Sequence, residues 1–219
     1  MPTGIHLQDP REQLFGAAEQ ILLQEGPNAL TSRAVTARAG CAKGVLHRHF
    51  ESFDAFVAEF VLDRIDRMRA QGAALRGTAG TGTVVGNLTD ALTRLFGPLA
   101  VSIVTLVVFH DQVRVRLRAA RPAGGLPVLG ELAVILSDYL ADEQKLGRLA
   151  AGADLGMLVP TLLGALHLRF AGADGPPPGA DDIREVVSSV FATALTTTDR
   201  ATADRATTDR ATTDRATTD

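Results

Sequence analysis

Apolar residues recur at three- and four-residue intervals along most of this chain, the period of helices rather than the two-residue alternation of strands. Asp9-Pro10-Arg11-Glu12 opens the first such segment: Asp supplies an N-cap, Pro a pre-set first helical residue, and Glu a carboxylate beside the orphan amides. Leu14, Ala18, Ile21 and Leu22 then share one face, and Gly26-Pro27 ends the helix. Thr31 can cap a short second helix that turns Ala34, Val35 and Ala39 inward and stops at Gly40, and a third follows from about 42 to 50. Ser52 caps a fourth, with Asp54 in its first turn. Its apolar face carries Phe53, Phe56, Val57, Phe60, Val61, Ile65 and Met68.

The stretch 72–83, GAALRGTAGTGT, interrupts the pattern with Gly and Thr and is the expected internal boundary. Beyond it the spacing predicts helices at roughly 84–96, 99–120, 126–147, 154–171 and 180–196, broken at 122–125, at Gly152 and at 172–179. The segment 113–118, VRVRLR, alternates like a strand, yet Val113, Leu117 and Ala120 also fit a helix and no partner strand is visible. From Thr198 a five-residue unit repeats. Each unit advances a helix by about 140 degrees net and adds no bulky apolar side chain, so the tail, 198–219, is expected to be disordered.

Composition narrows the class. With 46% apolar residues, 219 residues can bury a sizeable core, and abundant Ala and Leu beside a single tyrosine, Tyr139, favour an all-α fold. Cys41 stands alone, so no internal disulfide forms and a reducing, cytoplasmic location is the default expectation. No apolar N-terminal stretch follows a basic region, and the longest apolar run, 99–109, is too short to span a bilayer, so no membrane partner is expected. Net charge is only −3, which gives the molecule as a whole no pull toward nucleic acid. A surface that binds DNA must be local.

Such a surface is present at 31–50, TSRAVTARAGCAKGVLHRHF. A short helix, a Gly-containing turn and a second short helix have the proportions of a helix-turn-helix. The window holds Arg33, Arg38, Lys43, Arg48, His47 and His49 and no acidic residue, although the chain is net acidic. Cations bind phosphates, while the start of the second helix reaches base edges, making Lys43, Gly44, Val45 and His47 the candidate readers. Gly44 permits close backbone approach to DNA.

This window resembles the TetR (tetracycline-repressor-like) family of transcriptional regulators. The family pattern runs approximately T-x-R-x-I-A-x-x-A-G-V-S-x-G-x-L-Y-x-H-F-x-S-K-x-x-L. Thr31, Arg33, Ala39, Gly40, Gly44, Leu46, His49, Phe50 and Ser52 match it without a gap. The resemblance covers roughly 10–65. It implies a three-helix DNA-binding domain (1–52), a connecting helix (53–71), and a helical effector-binding and dimerisation domain (72–197) ahead of the tail. The partners it implies are double-stranded DNA, a small-molecule effector and a second copy of the chain; no cofactor and no metal are expected. The DNA-binding set is then Thr31, Arg33, Ala42, Lys43, Gly44, Val45, His47, Arg48, His49 and Ser52. Several positions depart from the pattern, among them His47 in place of a Tyr, Ala42 of a Ser, Cys41 of a Val and Phe53 of a Lys. Because that Tyr, Ser and Lys commonly touch phosphates in family members, the departures bear on DNA contact.

By the same analogy Phe96, Ile103, Leu106, Phe109, His110, Leu136 and Tyr139 surround an effector pocket, although a tight core needs the same residues. Leu155, Leu158, Leu162, Leu166, Phe170, Ile183, Val187, Val190 and Phe191 form broad apolar faces on the last two helices. The resemblance makes these faces a four-helix dimer interface, and an ordinary intrachain core is the alternative. His110 and His167 lie in apolar helices and read most simply as core histidines, Cys41 as packing, and Arg114, Arg116 and Arg118 as a solvated face. No phosphate-binding loop, metal spacing or nucleophile-with-base pattern suggests an enzyme. The rival to a repressor is a TetR-like protein that has lost operator binding and acts through protein contacts or ligand sequestration.

Overall fold

The computed structural model describes residues 9–121, 126–172 and 176–196. The repeat tail and the break at 122–125 lie outside the described residues. Among the described residues ten α-helices follow in order: α1 (Pro10–Gln24), α2 (Ser32–Arg38), α3 (Gly44–His49), α4 (Phe53–Arg76), α5 (Val84–Leu95), α6 (Pro98–Phe109), α7 (Asp111–Ala120), α8 (Pro127–Lys145), α9 (Leu155–Ala171) and α10 (Ala180–Phe191). Among the described residues the sole β-pairing is one antiparallel bridge, Leu149 to Leu195, so the fold is all-α as the spacing predicts.

Side-chain caps start many of these helices. The Asp9 carboxylate accepts from the Arg11 amide at 3.0 Å, Thr31 from Ala34 at 3.2 Å, Ser52 from Ala55 at 3.1 Å, Thr83 from Gly86 at 3.0 Å and Asp154 from Met157 at 3.2 Å. The first four satisfy first-turn amides that lack an intrahelical carbonyl, and the Met157 amide is shared between the Asp154 carboxylate and the Asp154 carbonyl at 3.1 Å. The strand-like segment 113–118 is helical within α7. The single helix expected over 99–120 is instead two. His110 adopts extended backbone as the cap of α7, Asp111 suits a helix start, and the Arg114 guanidinium donates to the Val108 carbonyl at 2.8 Å, satisfying the end of α6.

Two compact units result. The first joins residues up to Arg67 to 98–130, and the second joins 68–97 to the segment from Glu131 onward. This differs from the expected division at 72–83. Helix α6 packs on α1, where the Ser102 hydroxyl donates to the Leu22 carbonyl at 3.3 Å, so α6 and α7 belong with the N-terminal helices. The core of the first unit is aromatic: Phe15 lies 5.7–5.8 Å from Phe50, Phe56 and Phe60 by ring centroids, and Phe50 meets Phe56 edge-on at 5.0 Å.

In the second unit α5 packs on α10 and α10 on α9, and Phe96 meets Phe170 edge-on at 5.5 Å. The last turns of α4 run against α8. Arg69 pairs with the buried Glu131 at 2.5 Å, Arg76 with Asp142 at 2.8 Å, and a Cβ on Gly72 would lie 2.8 Å from the Ile135 side chain. Of the stretch 72–83, expected as a loop, 72–76 continue α4 and 78–83 form a turn fastened from the α8 side. Glu143, wholly buried, accepts from the Tyr139 hydroxyl at 2.6 Å and from the Gly80 amide at 3.2 Å, and pairs with Arg148 at 3.2 Å. Arg148 in turn donates to the carbonyls of Thr81 at 3.1 Å and Gly82 at 2.7 Å. Burial, with the Glu143 carboxylate as acceptor, pushes the Tyr139 hydroxyl well above the ordinary phenol range.

Replacing Glu143 with Ala takes the acceptor from the buried Tyr139 hydroxyl and the carboxylate from Arg148, which keeps the carbonyls of Thr81 and Gly82. The expected cost is about 3 kcal/mol of unfolding free energy, read from urea denaturation.

Candidate nucleic-acid interface

Helix α2 is seven residues long and ends in a glycine turn. Gly40 takes φ +65°, its amide donates to the Ala37 carbonyl at 3.1 Å, and the Cys41 amide donates to the Thr36 carbonyl at 3.0 Å. This pair of bonds is the Schellman arrangement, which closes a helix on a left-handed residue and turns the chain sharply. Val35 at 0% exposure and Ala39 at 7% anchor α2 from one side. Helix α3, only six residues, begins with the Val45 amide donating to the Ala42 carbonyl at 2.9 Å. Leu46 is fully buried, and Phe50, the residue that ends α3, is 3% exposed inside the aromatic cluster.

The opposite faces of both helices are open to solvent. Thr31, Arg33, Ala42, Lys43, Gly44, His47, Arg48 and His49 are exposed, and Val45 and Ser52 are half-buried. Arg33, Lys43 and Arg48 have no carboxylate partner among the described residues. The unit's other guanidinium groups are mostly paired: Arg38 with Glu25 at 2.5 Å, Arg64 with Glu19 at 2.9 Å, Arg67 with Asp63 at 2.9 Å, Arg116 with Glu51 at 3.1 Å and Arg121 with Asp66 at 2.7 Å. Arg38, counted in the cationic window by sequence, therefore does not belong to the open patch; Gln24 also accepts from it at 2.8 Å. Phe53, where the family pattern has Lys, is half-buried and stacked on Phe56 at 5.8 Å.

Two residues of α1 reach this motif, and the sequence reading gave them no part in it. The Gln13 side-chain amide donates to the carbonyl of Ala39, the residue ending α2, at 2.7 Å. The Arg11 guanidinium lies 4.6 Å from the Phe50 ring centroid, donates to the His49 carbonyl at 3.5 Å and pairs with Glu59 of α4. Separations of 26 and 38 residues along the chain leave no local pattern that reveals these contacts.

Other candidate residues are dispersed. Phe96, Leu136 and Tyr139 are buried in the second unit and Ile103 and Leu106 in the first, whereas Phe109 is 78% exposed and His110 is exposed. Phe109 and His110 thus face solvent because α6 ends there, which contradicts their place in an enclosed pocket. His110 is no core histidine for the same reason. His167 is half-buried, and its Nδ1 has no hydrogen-bond partner. Among the residues expected at a dimer interface, Leu162, Leu166, Ile183, Val187 and Phe191 are at most 2% exposed within the single chain. They form the intrachain core of α9 and α10 and are not available to a partner; Leu155, Leu158, Phe170 and Val190 are half-buried. Cys41 is half-buried, Arg114 and Arg116 are ion-paired, and Arg118 is exposed.

Residues 14–60 match the sequence model of bacterial regulatory proteins of the tetR family. The fold is similar to that of a TetR-family transcriptional regulator from Agrobacterium tumefaciens, with a TM-score of 0.65 at 14% identity over 86% of this chain and 99% of that one. It is similar to SmeT, the repressor of the Stenotrophomonas maltophilia multidrug efflux pump SmeDEF (TM-score 0.56, 18% identity, 86% and 92% covered). A transcriptional regulator from Saccharomonospora viridis in complex with choline is similar as well (TM-score 0.61, 13% identity, 84% and 96% covered). No curated protein matches the chain.

The two glycines of the motif should respond oppositely to a methyl group. Gly40→Ala forces a side chain into positive φ and is expected to cost about 1–2 kcal/mol. A Cβ on Gly44 meets nothing within 4 Å, so Gly44→Ala should leave thermal stability nearly unchanged. Parallel melting curves check both.

Proposed function

Taking as premise that the chain carries the helix-turn-helix domain and fold of the TetR family of bacterial regulatory proteins, we propose that it is a transcriptional repressor. It binds a pseudo-palindromic operator as a homodimer and is released by a small-molecule effector. The observation that carries this reading is the open face of α2 and α3, where Arg33, Lys43 and Arg48 are free of carboxylates while the neighbouring arginines are neutralised. Free cations release counterions from a duplex on binding; paired ones must first break their own contacts. Lys43, Gly44, Val45 and His47 at the start of α3 read base edges, and Thr31, Arg33, Ala42, Arg48, His49 and Ser52 approach the backbone around them.

The dimer surface we propose is the solvent face of α9 rather than the buried stripe expected from sequence. Met157, Thr161, Gly164 and Leu168 follow at spacings of four, three and four, all exposed, with Met157 at 65% and Leu168 at 74%. Small residues between two large apolar ones let a second helix approach closely. Two heads so joined would enter successive major grooves about 34 Å apart. Effector release needs only differential affinity for a conformation whose heads are misplaced. Phe96, Leu136 and Tyr139 of the second unit are the proposed effector contacts, and the choline complex of the Saccharomonospora protein supports a small-molecule ligand by analogy. The reading that operator binding has been lost draws on Phe53, which is stacked on Phe56 where the family pattern has a Lys.

Fluorescence anisotropy with duplex DNA from upstream of the protein's own gene separates the two. The repressor reading expects affinity that falls steeply with salt. Replacing Arg33, Lys43 and Arg48 with Ala should flatten the log–log salt slope by about 0.9 for each phosphate contact removed. Weak, salt-insensitive binding that the triple replacement leaves unchanged contradicts it.

A further inference from the structure

A recognition helix of six residues cannot hold its own shape or direction in water, where isolated helices below about 12 residues are marginal. Reading a base edge demands placement to within about 0.5 Å and 10–20 degrees, a tolerance far tighter than that of a long, flexible Lys or Arg on a phosphate. Whatever fixes the carboxyl ends of α2 and α3 therefore controls discrimination among sequences more than overall attraction to DNA.

Both ends are held from the first turn of α1. Gln13 donates to the Ala39 carbonyl at 2.7 Å, at the close of α2. Arg11 lies with its guanidinium 4.6 Å from the ring centroid of Phe50 and donates, at the longer distance of 3.5 Å, to the carbonyl of His49, the last residue of α3. Terminal carbonyls of a helix lack intrahelical donors and carry the negative end of its dipole, so an amide and a cation are suitable partners there. Glu59 of α4 pairs with Arg11 and so ties the same guanidinium to a third helix. Leu46 and Phe50 fix the depth of α3 by burial, but apolar contacts are non-directional. The two polar contacts supply the direction. Both residues precede the 14–60 segment that the family's sequence model covers.

We infer that Arg11 and Gln13 are positioning residues for base reading: together they set the direction of α3 relative to α1 and α4 and thereby determine which DNA sequence is recognised. The inference rests on the DNA-binding reading above. Neither side chain needs to touch DNA. Arg11→Lys keeps a charge for Glu59 but loses the guanidinium over the Phe50 ring and the bond to His49, and Gln13→Met keeps the volume of the side chain without its donor.

The test compares wild type with these two variants in anisotropy titrations. One duplex is recovered from genomic DNA that the wild-type protein retains; the other is a scrambled duplex of the same composition. Melting temperatures are recorded alongside. Each variant is expected to lose about tenfold in affinity for the recovered duplex, the scale of one base contact. Affinity for scrambled DNA and its salt slope should stay at wild-type values, and the melting temperature should fall by no more than the few degrees that one lost hydrogen bond costs. A purely structural role would instead lower the melting temperature further and weaken both duplexes alike, which overturns the proposal. A salt slope shallower by about 0.9 with discrimination retained makes Arg11 a phosphate contact and overturns it too. Wild type that discriminates, beside variants that discriminate equally well, removes the positioning role alone. Wild type that fails to discriminate removes the DNA-binding reading and this inference with it.

Discussion

Six residues of helix have almost no stability of their own, so α3 exists because Leu46 and Phe50 are buried on one side of it. Phe50 ends the helix and packs into a cluster with Phe15 of α1 and Phe56 of α4, while Phe60 closes the cluster one turn farther along α4. The exposed residues of α3 inherit their position from this cluster. A glycine with φ +65° sets the angle at which the chain leaves α2 and enters the turn, and no other residue type takes that conformation as cheaply. The surface proposed to meet DNA is thus the back of an aromatic core.

Electrostatics completes the surface by subtraction. The first unit is rich in arginine, but carboxylates on α1, α4 and elsewhere in the same unit neutralise most of it. Among the described residues Arg33, Lys43 and Arg48 stay free, in a helix-turn-helix segment that contains no acid, and outside it Arg118 of α7 is exposed as well. A chain with net charge −3 can thereby present a cationic face without becoming a general polyelectrolyte binder. The second unit follows another logic. The wholly buried carboxylate of Glu143 is satisfied by Tyr139, the Gly80 amide and Arg148, and together with Asn87 and Arg148 it fixes the turn that follows α4.

Much of this was legible in the sequence, because the relevant signals are local. The caps at Asp9, Thr31 and Ser52, the stop at Gly40 and the apolar spacing of α4 all act within four residues, and the structure bears them out. The features that were misread depend on partners far away in the chain. Leu162, Leu166, Ile183, Val187 and Phe191 have an apolar period that says only that something covers them, and the cover is their own chain. Arg38 counts as a cation by composition, but Glu25, thirteen residues earlier, neutralises it. The break at His110 went unseen since both flanking segments are helical in period, and the grip of Arg11 and Gln13 carries no signature in their own neighbourhood. Residues 78–83 look like an ordinary loop by composition; the Glu143 carboxylate, sixty-three residues beyond Gly80, and Arg148 make them a fixed turn.

The central claim is that the open face of α2 and α3 reads duplex DNA as one of a symmetric pair. Sequencing the genomic fragments retained by the purified protein tests it most directly, since recognition and symmetry are measured together. The account predicts enrichment of a pseudo-palindrome whose half-sites lie about 10 base pairs apart, centre to centre, or a multiple of that spacing. Fragments with no shared sequence, or a shared sequence without two-fold symmetry, would contradict it.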